Sequence, residues 1–167
     1  EADIFDNPLP PQQTLDWFMG AEPVSGEGRA AFARAHYALN NKASGDLWLK
    51  LAWRESRLTR ERQQKLFAQF KTKLTPADHY ARADHLIWQG RSHHASALAL
   101  TPYMARDHRA LITARVKLAG SRSGVDAAVK AVSPNMQTDP GLMYERANWR
   151  KKRQSNANGL ALYAQMT

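Results

Sequence analysis

The stretch from Thr75 to Gly90 carries a complete set of helix signals, and this limits what the chain can fold into. Thr75 offers a hydroxyl to a free backbone N–H at the N-cap, and Pro76 fills the first helical position, where no donor is missed. Asp78 sets negative charge near the positive end of the helix dipole. Tyr80, Ala83, Leu86 and Ile87 fall along one stripe, and Gly90 supplies the left-handed residue that ends the run. A second apolar run, Ala95 to Leu100, follows after a short gap. The unit is therefore helix, tight turn, helix.

That unit recurs. Ala35, Ala83, Ala114 and Ala147 take equivalent places in four first helices, each next to an arginine: Arg34, Arg82, Arg115 and Arg146. A second-helix residue follows 12 or 13 positions later, at Leu47, Ala95, Ala127 and Leu160. The anchors stand 48, 31 and 33 residues apart. The last two spacings lie near the period of about 34 residues found in helix–turn–helix arrays. The first is longer by one helix, which Thr59 to Phe70 supplies. Small residues let crossing helices approach closely, so a repeated alanine has a packing reason.

The other segments follow the same logic. Residues 1–13 hold three prolines and no periodicity, and read as an extended lead-in. Residues 14–167 read as one helical domain. Helices are expected at Thr14–Met19, Arg29–Leu39, Ser44–Trp53 with Leu47, Trp48 and Leu51 facing inward, and Thr59–Phe70. Beyond Gly90 and the run 95–100 they are expected at Arg106–Ala119, Val125–Val132, Gly141–Arg153 and Ala157–Met166. Ser25 is a candidate N-cap, and Asp139-Pro140 repeats the opening at Thr75-Pro76. No stretch alternates with period two, so no strands are expected.

Composition narrows the function classes. The 167 residues are 43% apolar, enough for a core, and no apolar run approaches the length of a membrane span. The first residues lack the basic and then apolar start of a signal peptide. There are no cysteines, so disulfides and thiol chemistry are excluded. Lys and Arg number 24 against 15 Asp and Glu, a net charge of +9 that favours anionic partners. The densest cationic cluster is Arg146, Arg150, Lys151, Lys152 and Arg153. Such a cluster is either a solvated helix face or a ligand patch. The five tryptophans fall on helices and read as core residues, except that Trp149, beside this cluster, is placed for ligand contact. Arg146, Trp149, Arg150 and Arg153 are thus the candidate ligand-facing residues.

Other chemistries lack their residues. His79 and His85 stand six apart and cannot share a helix face as a metal pair, and His93 and His94 point to different sides. No metal site is expected. No Gly-x-Ser-x-Gly elbow and no Gly-rich phosphate loop occur, so no catalytic serine and no cofactor are expected. No base-reading or stacking motif supports a nucleic-acid partner.

A series of segments in fixed order carries a family resemblance. It comprises Trp17-Phe18, Glu22 to Gly26, Ala52-Trp53-Arg54-Glu55, Leu74 to His79, Ala83 to Arg91, and Asp139 to Arg146. The series resembles the long N-terminal helical domain of soluble lytic murein transglycosylases, and it spans nearly the whole chain. The resemblance implies an all-α fold, a right-handed superhelix of stacked helix–turn–helix, TPR-like repeats. It implies a periplasmic protein that acts on peptidoglycan, and whose superhelix helps form a ring around a separate lysozyme-like catalytic domain. That family cleaves between N-acetylmuramic acid and N-acetylglucosamine without water and leaves a 1,6-anhydro sugar, with one glutamate as acid and then base.

Two pieces resemble parts of the catalytic module. Glu55-Ser56 matches its Glu-Ser, and Gly141-Leu142-Met143 matches the Gly-Leu-Met-Gln that follows it in the family. Here 86 positions separate residue 55 from residue 141, and Tyr144 replaces the glutamine. Glu55 stands among Arg54, Arg57 and Arg60 at a polar helix end, whereas a general acid needs a dry cleft that keeps it protonated. No catalytic residue is therefore assigned to this chain. The expected role is positional: shaping the ring, threading glycan strands, or holding the enzyme to the sacculus. Its expected partners are glycan strands, bound weakly through charge, and the parent's catalytic domain. The alternative is a helical-repeat interaction module that binds a partner peptide in its concave face.

Overall fold

The computed structural model describes residues 1–164, and for residue 155 and residues 157–164 the backbone alone. Every regular element among the described residues is helical. The helices are α1 (Ala2–Asp6), α2 (Pro11–Trp17), α3 (Gly26–Ala38), α4 (Lys42–Arg54), α5 (Arg60–Phe70), α6 (Pro76–Trp88), α7 (His94–Ala99), α8 (Arg106–Ala119), α9 (Val125–Lys130) and α10 (Pro140–Ala164). Single 3₁₀ turns lie at Arg91–His93, Thr101–Tyr103 and Pro134–Met136. The chain forms two compact units, Glu1–His85 and Leu86 onward.

The expected caps at Ser25 and Thr75 form, and Asn41 and Thr59 cap two further helices. Ser25 Oγ accepts from Gly28 N at 2.9 Å, Asn41 Oδ1 from Ser44 N at 3.2 Å, and Thr59 Oγ1 from Arg62 N at 3.2 Å. At α6 the capping is reciprocal. Thr75 Oγ1 accepts from Asp78 N at 3.3 Å, while Asp78 Oδ2 accepts from Thr75 N at 2.8 Å and from the Thr75 hydroxyl at 2.6 Å. Two donors at the helix start are thereby satisfied at once.

In the first unit, α3 is the element the others pack on. Its buried residues Ala30, Ala31, Ala33 and Ala35 let α1, α2 and α4 approach. Tyr37 on α3 lies so close to Gly45 on α4 that a Cβ there would meet its ring at 2.7 Å. Trp53 and Leu49 from α4, Leu66 and Phe70 from α5, and Ala83 from α6 complete the core. The second unit is centred on α8, which packs on α7, α9 and α10 and buries Leu111, Ile112, Ala114, Val116 and Leu118.

Several expectations need correction. The lead-in 1–13 is not wholly extended: α1 forms within it and α2 starts at Pro11. The prolines at 8, 10 and 11 spare Ala2–Asp6, and Ile4 and Phe5 are buried. Arg34 fixes the end of that turn by donating to the carbonyls of Ile4 at 2.8 Å and Phe5 at 3.3 Å. The second-helix register also differs. Leu47 is 54% exposed, and Ala95 and Ala127 are exposed as well. The inward residues are instead Leu49, Ala97 and Leu100. Ala147 is exposed, unlike Ala35, Ala83 and Ala114. The side chain of Leu160 lies outside the described residues. The two helices expected at 141–153 and 157–166 are one, because no proline interrupts the run and an isolated glycine costs a helix only about 1 kcal/mol. The expected end of that second helix, Met166, lies outside the described residues.

Gly90 has φ +111° and ψ −176°, positive as expected but in the extended mirror region rather than the left-handed helical one. A Cβ there would touch nothing within 4 Å. The strain of any other residue is therefore conformational, of order 1–3 kcal/mol for that region. Gly90→Val should lower stability by at least about 1 kcal/mol in urea unfolding.

The histidines give the fold a pH dependence. His79 is buried with its ring edge-on to Trp53 at 5.5 Å and to Phe67 at 5.6 Å. Burial holds His36, His79, His85 and His94 below the ordinary imidazole value of 6.5. The unfolded chain then takes up protons first as pH falls. Stability is full above about 6.5 and drains away below it. The depressed carboxylates, such as Asp78 and Asp46, act only at lower pH, near and below their ordinary 3.8. Acidifying from about pH 7.5 to about pH 5.5 should therefore lower the thermal midpoint, and His79→Phe should shrink that drop.

Candidate functional site

The start of α10 is fixed in two ways. Asp139 Oδ1 accepts from Leu142 N at 2.8 Å, with Pro140 at the first helical position. Gly141 passes directly over a buried arginine: a Cβ there would lie 2.3 Å from Cζ of Arg115 on α8. A larger residue there would force the Arg115 guanidinium to shift. Leu142 is fully buried beside it. These contacts set the rotation of α10, and with it the side on which Arg146, Trp149 and Arg150 stand at i, i+3 and i+4.

The facing wall comes from α9 and the turn after it. Gly124, at φ +73°, turns the chain into α9 and Val125 anchors it in the core. Gln137 Nε2 donates to the carbonyls of Val129 and Val132, each at 2.9 Å, and so closes the end of α9.

Between these walls lies a cleft of about 270 Å³. Leu118, Val125 and Val129 provide its apolar lining; Lys130, Arg146 and Arg150 provide cations; Asp126 is its single carboxylate; Gln137 and Trp149 complete it. Arg153 does not line the cleft, but its guanidinium lies 4.7 Å from the centroid of the Trp149 ring. Such a cation over an indole face is worth about 0.5–1 kcal/mol where exposed, and it holds the ring in place. Among the described residues, no ion pair engages Lys130, Arg146 or Arg150. The cleft therefore presents uncompensated positive charge beside an aromatic surface, an arrangement that suits an anionic ligand with an apolar face.

The structure thus brings together Arg146, Trp149 and Arg150, and places Arg153 behind them. Lys130, Asp126 and Gln137 were not foreseen. They come from a six-residue helix and the turn after it, whose pairing with α10 no local pattern announces.

Other singled-out residues fall elsewhere. Glu55 is exposed at the C-cap of α4. Ser56 is buried and donates to the Leu51 carbonyl at 3.1 Å. Among the described residues no three His, Cys, Asp or Glu gather as metal ligands. Trp17 and Trp88 are about half exposed, 47% and 52%, and so are not core residues. Trp88 instead rests against Tyr144 at 5.0 Å, with the Arg115 guanidinium 5.4 Å from its ring. Glu145, also unforeseen, is buried on α10, and that burial pushes its carboxyl up against the opposing pull of Arg115 and Lys152. Comparison with family models, with curated proteins and with solved structures gives no match to this chain.

Proposed function

We propose that this chain is the non-catalytic helical domain of a periplasmic lytic transglycosylase, a domain that positions its enzyme on peptidoglycan. The observation that carries the reading is the ordered series of segments from Trp17 to Arg146, which spans nearly the whole chain. The all-helical architecture is consistent with it. The pairing of α3 with α4 in the first unit, and of α8 with α9 and α10 in the second, supports packed helix pairs as the building element of the proposed right-handed superhelix of TPR-like repeats. The net charge of +9 and the cationic cleft suit the carboxylates of muramic acid and its peptide stems. No helix among the described residues is long and apolar enough to cross a membrane. A second reading, a module that binds a partner peptide, draws on the exposed Trp88, Met143 and Tyr144.

Exposed ionic attraction is screened over about 10 Å at 0.1 M salt. The chain should therefore sediment with purified sacculi at low ionic strength and be released as salt rises. Failure to sediment at any salt concentration would remove the ligand-holding role.

The same reading excludes catalysis by Glu55. The reaction needs a carboxylic acid kept protonated in a water-poor cleft and a sugar held in register, and such positioning is worth about 7 kcal/mol or more of the barrier. Glu55 is exposed at a helix end. Chromatography of sacculi incubated with the chain should show no anhydro-muropeptides, for wild type and Glu55→Gln alike. Anhydro products that vanish in Glu55→Gln would overturn the non-catalytic assignment.

A further inference from the structure

The cleft between α9 and α10 is a built recess with its own chemistry, beyond a general positive surface. We propose that it is a binding site for the acidic sugar of a soluble peptidoglycan fragment. The inference rests on the proposed function and narrows it to a site and a ligand.

The cleft's volume of about 270 Å³ sits just below the range of about 300–1,000 Å³ for drug-sized ligands. It admits one sugar ring with its acidic substituent. Arg146 and Arg150 stand one helical turn apart on α10, and Lys130 approaches from α9. A planar guanidinium grips a carboxylate through two parallel hydrogen bonds, and the second guanidinium and the ammonium remain to donate to the sugar's hydroxyl and carbonyl oxygens. Trp149 and the aliphatic lining offer an apolar surface to the C–H face of a pyranose. The Arg153 guanidinium lies against the same indole, 4.7 Å from its centroid, and favours that placement of the ring.

Asp126 gives the site its selectivity. A carboxylate among three cations accepts hydroxyl or amide hydrogens, and repels a ligand that carries several negative charges close together. The site therefore favours an acidic saccharide with neutral donors over phosphate or polyphosphate.

Isothermal titration of the whole chain with purified, peptide-free N-acetylglucosaminyl-N-acetylmuramic acid, whose lactyl carboxylate is free, tests this. Parallel arms use the same disaccharide with its carboxylate amidated, neutral di-N-acetylchitobiose, and inorganic phosphate. The acidic fragment should bind, and the amidated and neutral probes should bind about tenfold more weakly or not at all. Arg146→Gln and Arg150→Gln should each cost about tenfold in affinity, with unchanged helical circular dichroism and unfolding midpoint. Lys130→Gln, on a separate helix, should weaken binding as well and covers the case in which the α10 variants fail to fold. Variants that bind as tightly as wild type would overturn the cleft assignment. Phosphate binding as tightly as the acidic disaccharide would replace the sugar site with a general anion site. Retention on sacculi without binding of the soluble fragment would overturn the cleft and leave the proposed function standing, whereas loss of both would remove both.

Discussion

Arg82 is a cation enclosed by protein, 1% exposed, at the centre of the first unit. It donates to Gln63 Oε1 on α5 at 3.0 Å and to the Ser56 carbonyl after α4 at 2.5 Å. Burial pushes its guanidinium down to about 10, which still leaves it charged at neutral pH. Hydrogen bonds to a charged group are worth about 1.5–3 kcal/mol each, and leaving such a group buried without them costs more than they return. The course of the chain from α4 to α5 is therefore dictated by where Arg82 needs acceptors. Arg34 does related work on α1, through the Ile4 and Phe5 carbonyls. In the second unit Arg115, also 1% exposed, packs its guanidinium directly against Gly141 and so bears on how α10 seats. The arginine beside each repeated alanine is thus buried in two of the four places, Arg82 and Arg115, and partly buried at Arg34 and Arg146.

That pattern was legible in the sequence as spacing, but its meaning was not. Alignment on Ala35, Ala83 and Ala114 found buried crossings because a small residue next to a long one is a local signal. Caps were legible for the same reason: Ser25, Thr75 and Asp139 each act within three residues of themselves. The second helices were not. α7 and α9 hold six residues each, fewer than two turns, so their apolar positions define no stripe. The facing residues there were fixed by long-range packing, which put Ala97 inside and Ala95 outside. The burial of α1 escaped for the same reason, since the prolines after it spoke louder than Ile4 and Phe5.

The candidate site divides along the same line. Arg146, Trp149 and Arg150 could be named from one helix, because their shared side follows from 3.6 residues per turn. Lys130, Asp126 and Gln137 depend on how α9 returns against α10, and on Gln137 reaching the carbonyls of Val129 and Val132. Arg146 extends the arginine pattern outward: next to the exposed Ala147, it is only partly buried and faces the cleft. Where the repeat loses its buried alanine, its arginine becomes available to a ligand.

Asp78 has two tasks at once. It closes the capping box of α6, and it pairs with the Arg54 guanidinium at the end of α4, with Nε at 2.8 Å and an amino nitrogen at 2.6 Å. Helix ends ordinarily fray, opening and closing independently of the rest of a protein. The first turn of α6 cannot do so without releasing the last turn of α4. Two termini distant in sequence are thus energetically coupled in their opening.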